Sequence, residues 1–168
     1  MANITLRGQA IQTIGELPEV GSQAPDFSLV DAKLCDRTLA DYKGKKKLLS
    51  IVPSLDTPVC ANSTKRFNEF AAGRDDFVML VVSADLPFAQ GRFCGKEKLK
   101  EVVSLSMMRS RRFAKEYGVL MTDGPLAGLT ARAVVALDEN DKVIYTELSD
   151  ALTHEPDYDK AIAALQEA

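Results

Sequence analysis

Several features that mark other classes of protein are missing from this sequence. Apolar runs such as 48–52 and 78–82 are far shorter than the roughly 20 residues that a membrane-spanning helix needs. The first residues lack the apolar segment and the cleavage pattern of a secretory signal. We therefore expect a cytoplasmic protein with no membrane partner.

Cysteine and histidine are scarce. The 168 residues include 3 cysteines, Cys35, Cys60 and Cys94, and 1 histidine, His154. There is no C-x-x-C pair, and an odd number of cysteines does not make the disulfide framework of a small secreted protein. These residues are also too few and too scattered for a tetrahedral zinc site, so we expect no metal. The cysteines are then either buried fillers or reactive groups.

The charge is nearly balanced, with 21 basic and 24 acidic residues and a net charge of -3. Two basic clusters, 43–47 and 109–112, lack the interleaved aromatic residues of a nucleic-acid surface. We interpret both clusters as solvated turns and helix faces, and we expect no nucleic-acid partner.

The hydrophobic pattern predicts one α/β domain over residues 1–168, because no repeat, low-complexity segment or linker divides the chain. Alternating apolar residues around Arg7 and Gly8 predict an N-terminal β-hairpin. Further strands are predicted at 26–30, 47–52, 77–82, 133–137 and 143–148, helices at 59–73, 105–117 and 158–165, and a loop or short helix at 85–95. This order indicates a thioredoxin-like fold, in which helices flank a mixed central sheet.

Cys60 is predicted to lie where a buried strand ends and a helix begins. The first turn of a helix has unpaired N–H groups and carries roughly half a positive elementary charge. Both stabilise a thiolate, which is the nucleophilic form of cysteine. Thr57 places a hydroxyl within reach of the sulfur, and Pro53 can shield the sulfur from water. Position alone leaves two interpretations open, a nucleophile or a small apolar filler.

The segment PSLDTPVC, residues 53–60, resembles the active-site pattern P-x-x-x-T-x-x-C of the peroxiredoxins, specifically of their bacterial thiol peroxidase branch. Other segments of the chain are similar to further motifs of this branch and occur in the same order. They are LPFAQGRFC at 86–94, EYGVL at 116–120, LTARAV at 129–134, VGSQAPDF at 20–27 and EPDY at 155–158.

The resemblance implies an atypical two-cysteine peroxiredoxin that reduces hydrogen peroxide and organic hydroperoxides. Cys60 would be the peroxidatic nucleophile, Thr57 a hydrogen-bond partner of sulfur and peroxide, and Pro53 the shield. Arg132 would be the cation that stabilises the thiolate and the breaking O–O bond. The alternative is a surface salt-bridge arginine, which the apolar strand predicted at 133–137 beside it disfavours. Cys94 would be the resolving cysteine of the same chain. The resemblance also implies a homodimer, reduction by thioredoxin and no cofactor.

A disulfide needs Cα atoms within about 7 Å of each other, whereas separate helices or loops commonly lie further apart. We therefore predict that the chain unwinds locally around Cys60 and that the segment around Cys94 moves in each catalytic cycle. Gly91 and Gly95, on either side of Cys94, suit such a mobile segment.

Other residues have no assigned chemistry. Cys35 is interpreted as structural filler or a reactive spectator, and His154 as a surface residue. Met107 and Met108 either make the dimer face and substrate pocket more apolar or fill the core.

The sequence has three rival functional interpretations. The first is a thioredoxin-type oxidoreductase, which the missing C-x-x-C disfavours. The others are a redox sensor that uses the Cys60–Cys94 pair and a purely structural protein.

Overall fold

The computed structural model describes residues 1–168. The chain begins with the predicted hairpin, formed by β1 (Asn3–Leu6) and β2 (Gln9–Gln12). Its two turn residues, Arg7 and Gly8, both have positive φ, at 51° and 82°, as a two-residue type I′ turn requires. Ile4 lies opposite Ile11, and both side chains are buried.

A seven-stranded mixed sheet forms the centre of the molecule. Its strands run in the spatial order β4-β3-β7-β6-β5-β8-β9. The bounds are β3 (Leu29–Val30), β4 (Asp36–Arg37), β5 (Lys46–Ile51), β6 (Phe77–Ser83), β7 (Val102–Ser106), β8 (Ala133–Leu137) and β9 (Val143–Leu148). Strands β5, β6 and β7 are parallel, and the outer strands are antiparallel to their neighbours.

Helices cover both faces of this sheet. They are α1 (Pro58–Ala71), α2 (Pro87–Lys96), α3 (Arg112–Glu116) and α4 (Tyr158–Glu167), together with a short 3-10 helix at Leu39–Tyr42. The buried residues of α1 and α4 share one core cluster with Cys60, whereas α3 and the 3-10 helix pack in the cluster on the opposite face. None of the helices combines the length and the apolar character that crossing a bilayer requires.

Two predicted elements are wrong. Residues 105–117 do not form one helix: β7 runs to Ser106 and pairs in parallel with β6, and only the short α3 follows. The pairing of β7 with β6 is a long-range effect that helical spacing cannot reveal. The strand predicted at 26–30 is confined to β3, while the segment at 85–95, left open as loop or short helix, forms α2.

The basic cluster at 43–47 is only partly a solvated turn. Lys47 is 0 % exposed, and its Nζ donates a hydrogen bond to Asp141 in the turn between β8 and β9. The prediction of solvated lysines is therefore wrong for Lys47. It lies inside the sheet, where an ammonium group needs a paired carboxylate.

Candidate active site

Cys60 lies in the first turn of α1, just beyond the carboxyl end of β5. Thr57 is the N-cap residue and Pro58 the first helical residue, where a missing N–H group is tolerated. The sulfur is part of the core on the α1 face of the sheet, and the residue is 0 % exposed. Burial alone would suit an apolar filler, so the neighbours of the sulfur decide between the two interpretations.

Arg132 is the polar neighbour of this sulfur. It immediately precedes β8, is 3 % exposed, and its Nη1 donates a hydrogen bond to Cys60 Sγ over 2.9 Å. The guanidinium also donates from Nε and Nη2 to the carbonyl oxygen of Leu152, at 3.1 and 2.7 Å. It forms no ion pair with any carboxylate. An apolar filler has no use for a charged hydrogen-bond donor, so this contact favours the interpretation of Cys60 as a nucleophile.

Thr57 and Pro53 flank the same site. Pro53 is buried, and Thr57 is half-buried at the start of α1. The Thr57 hydroxyl donates to the carbonyl oxygen of Ser54 over 3.0 Å, which leaves its own oxygen able to accept a further hydrogen bond.

A carboxylate that the sequence did not single out holds the loop before α1. Asp85 follows β6 and accepts hydrogen bonds from the Ser54 hydroxyl at 2.7 Å, from the Leu55 amide at 2.8 Å and from the Ser83 hydroxyl at 2.8 Å. It therefore braces the segment that carries Pro53. A polar residue directly after a buried parallel strand is the only signal that could have suggested it.

Helix α4 is tied to α1 one turn beyond Cys60. The Tyr158 hydroxyl donates to Ser63 Oγ over 3.2 Å, and Ser63 Oγ donates to the carbonyl oxygen of Val59 over 3.0 Å. The Thr64 hydroxyl donates to the carbonyl oxygen of Cys60 at 2.8 Å. The first of these bonds ties α4 to α1, and the other two join hydroxyls to carbonyl oxygens four residues earlier in the helix, a bond type that can bend a helix.

Cys94 lies in α2 and is half-buried, and all three cysteines are free thiols. Burial raises the pKa of the Cys94 thiol, against a smaller opposing effect of the hydrogen bond with Ser104. Cys94 lines a cleft of about 360 Å³ together with residues of the β3–β4 turn. A different cleft, of about 440 Å³, separates α2 from the start of α1, and there α2 presents Arg92 and Phe93. Cys94 therefore opens onto a different cleft from the one beside α1.

The remaining candidates lie outside this site. Cys35 is exposed in the turn before β4, so it is not a core filler. His154 is exposed, and its Nδ1 pairs with Asp150 at 2.9 Å. Met107 is buried and fills the core, and only Met108 adds to the apolar surface, at 36 % exposed. No group of three His, Cys, Asp or Glu side chains is placed to hold a metal ion.

Comparison with known proteins identifies the family. Residues 19–162 match the Redoxin family model. Over the whole chain, the sequence is 48 % identical to a thiol peroxidase of Leptospira interrogans, of which it covers 99 %. A peroxiredoxin-like protein from Aquifex aeolicus superposes with a TM-score of 0.93 at 39 % identity, over 99 % of this chain and 97 % of that one. A thiol peroxidase from Chromobacterium violaceum gives 0.90 at 28 % identity, over 98 % and 95 %.

The fold and the sequence thus define a peroxiredoxin of thioredoxin-like architecture. The chain belongs to the Redoxin family and, within it, to the thiol peroxidase branch of the peroxiredoxins. The predicted fold class, resemblance and peroxidase activity are confirmed, and the redox-sensor alternative is not favoured.

Proposed function

We propose that Cys60 is the peroxidatic cysteine and Arg132 its activating cation. The observation that carries this proposal is the 2.9 Å contact between Arg132 Nη1 and Cys60 Sγ, made in the core by a guanidinium that has no carboxylate partner. The Cys60 thiolate attacks one oxygen of the hydroperoxide, the O–O bond breaks, and the other oxygen leaves with the bonding electrons. Protonation of that oxygen gives water or an alcohol, and the sulfur becomes a sulfenic acid.

Arg132, Thr57 and Pro53 assist this step in different ways. Negative charge builds up on the leaving oxygen, and an N–H donor already fixed beside the sulfur can stabilise it there. Thr57 Oγ1 can accept a hydrogen bond from the O–H group of the incoming hydroperoxide while its own hydrogen is donated to the carbonyl oxygen of Ser54. Pro53 keeps bulk water from the sulfur and offers no N–H group that would compete for it.

Cys94 resolves the sulfenic acid. Its thiolate attacks the Cys60 sulfur, an intramolecular disulfide forms, and the oxygen of the sulfenic acid leaves as water after protonation. The half-buried position of Cys94 in α2, on a different cleft from the one beside α1, supports the prediction that both segments rearrange before the disulfide closes. Identical backbones in reduced and disulfide crystals would contradict this rearrangement.

The family supports our proposals for the remaining features of the cycle. We propose that the chain acts as one peroxiredoxin domain on hydrogen peroxide and on alkyl or lipid hydroperoxides. Thioredoxin returns the disulfide to two thiols in the cytoplasm, a compartment that keeps thiols reduced. A homodimer is supported by the apolar surface at the start of α2, where Leu86 is 53 % and Phe88 69 % exposed.

Intact mass and free-thiol counts after one equivalent of hydroperoxide test these roles. We expect an intramolecular disulfide in the wild type, a trapped sulfenic acid in Cys94→Ser and no reaction in Cys60→Ser. Cys35→Ser serves as the matched control and should behave as the wild type does, with full turnover in a thioredoxin-coupled assay. Peroxide consumption by Cys60→Ser, or a disulfide that includes Cys35, would overturn the assignment.

A further inference from the structure

The guanidinium of Arg132 is held by a backbone carbonyl. Three of its five N–H groups have partners: two donate to the oxygen of Leu152, and the third donates to Cys60 Sγ. Buried arginines usually pair with a carboxylate, which neutralises their charge. A carbonyl oxygen fixes the plane of the guanidinium by hydrogen bonding but carries no net charge, so the full positive charge stays available to the sulfur.

The Leu152 carbonyl is in turn fixed by the N-terminal hairpin. The Leu152 amide donates to the carbonyl oxygen of Thr5 at 3.0 Å, and the Thr5 amide donates to the carbonyl oxygen of Asp150 at 2.9 Å. The Leu152 side chain is 4 % exposed and packs in a small core cluster with Ile4 and Ile11 of the hairpin. Residues 150–152 therefore lie against β1, joined to it by an isolated parallel bridge between Thr5 and Ala151.

We propose that Leu152 is a positioning residue for the peroxidase reaction and that the β1–β2 hairpin acts through it. The hairpin fixes residues 150–152, the Leu152 carbonyl orients the guanidinium, and Arg132 Nη1 thereby points at Cys60 Sγ. The inference rests on the roles proposed for Arg132 and Cys60. It gives the N-terminal hairpin, which contributes no strand to the central sheet, a function in catalysis.

Two variants loosen this arrangement without changing any atom of Arg132 or Cys60. Leu152→Ala keeps the carbonyl but removes the buried side chain that anchors it. Thr5→Pro removes the amide that donates to Asp150, and because this amide points away from β2, the ladder of the hairpin keeps its own hydrogen bonds. Leu152→Met restores the lost volume and is the rescue variant.

Leu39→Ala is the matched control. It removes the same side-chain atoms from a buried leucine, but in the core cluster on the opposite face of the sheet. It should lower the melting temperature about as much as Leu152→Ala does and leave the peroxide reaction within about twofold of the wild type. This control separates a general loss of stability from a loss of the orientation of the Arg132 guanidinium.

The readouts are the second-order rate of Cys60 oxidation by hydrogen peroxide, followed by rapid quench and mass spectrometry, and the pH profile of Cys60 alkylation by iodoacetamide. We expect Leu152→Ala and Thr5→Pro to slow oxidation about tenfold, as weakening one charge-assisted hydrogen bond implies, and to move the alkylation profile to higher pH. Leu152→Met should restore both readouts. A structural defect alone would not move the alkylation profile.

Wild-type oxidation rates and alkylation profiles in folded Leu152→Ala and Thr5→Pro would overturn the proposal. If Leu152→Ala does not fold, Thr5→Pro decides. Arg132→Gln, measured alongside, tests the role of Arg132 beside Cys60 separately from the positioning role of Leu152. A slow Arg132→Gln with unaffected Leu152 and Thr5 variants refutes the positioning role and leaves the proposed function intact, whereas a fast Arg132→Gln refutes both.

Discussion

Replacing Arg132 by glutamine should slow the reaction of Cys60 with peroxide by about tenfold to 150-fold. The substitution removes the hydrogen bond of 2.9 Å between Nη1 and Cys60 Sγ and the only cation in contact with the sulfur. A hydrogen bond to a charged group contributes about 1.5–3 kcal/mol. At 1.36 kcal/mol for each factor of ten in rate, that range gives the stated loss, provided that the bond acts in the transition state. Loss of the thiolate would lower the rate further.

A second arginine provides a matched control. Arg111 donates from Nε to the carbonyl oxygen of Gly128 at 3.1 Å and from Nη1 to that of Met107 at 2.8 Å, much as Arg132 does to Leu152, but it does not contact the sulfur. Arg111→Gln therefore loses comparable backbone contacts, and we expect its oxidation rate to stay within about twofold of the wild type.

The assay is rapid quench of the reduced protein with hydrogen peroxide, with the Cys60 product resolved by mass, so that re-reduction does not contribute to the rate. Circular dichroism establishes that both variants are folded. Equal rates for Arg132→Gln and Arg111→Gln would refute the reasoning, because the contact with the sulfur would then have no kinetic effect.

Three further outcomes are expected. Alkylation of Cys94 in the folded, reduced chain should need higher pH than in urea, because burial raises the pKa of this thiol and only the thiolate reacts; coincident pH profiles would contradict this. Tyr158→Phe removes the hydrogen bond from α4 to Ser63 of α1, so it should lower the free energy of unfolding in urea by about 0.5–1.5 kcal/mol. It should also speed disulfide formation, because α1 is then less restrained. An unchanged disulfide rate would show that this bond does not restrain α1. Asp141→Gly should lower the free energy of unfolding by about 3–5 kcal/mol, because it leaves the Lys47 ammonium group buried and unpaired. Lys47→Met, alone or combined with Asp141→Gly, should lower it much less, because no unpaired ammonium group then remains in the core. Equal losses in the three variants would refute the ion-pair argument.

Local features of the fold could be predicted from the sequence. Apolar alternation around Arg7 and Gly8 led to the N-terminal hairpin, and the apolar strands and the terminal helix lie close to their predicted places. The start of α1 before Cys60 was also predictable, because Pro58 suits the first helical position. These signals depend on only a few neighbouring residues, and the elements that they predict are present in the structure.

Features that depend on long-range pairing could not be predicted in this way. The helix expected at 105–117 failed because β7 is a strand only by virtue of its place beside β6. Arg132 came from the family resemblance, since nothing in its local sequence shows that it would reach Cys60. Asp85 and Leu152 escaped notice altogether: the first acts on a loop some 30 residues earlier in the chain, and the second acts through its main chain.

The proposed chemistry also bears on how Cys60 is released from the core. While the sulfur is a thiolate, its contact with Arg132 is charge-assisted. Oxidation to the sulfenic acid neutralises the sulfur, so the strongest bond that holds it is weakened by the reaction itself. The ties that remain at the start of α1, from Thr64 to the Cys60 carbonyl and from Ser63 to the Val59 carbonyl, are neutral hydrogen bonds of about 0.5–1.5 kcal/mol each. We therefore expect the amides of residues 59–64 to exchange with solvent faster in the sulfenic acid of Cys94→Ser than in the reduced protein, and equal exchange would show that release does not depend on this charge.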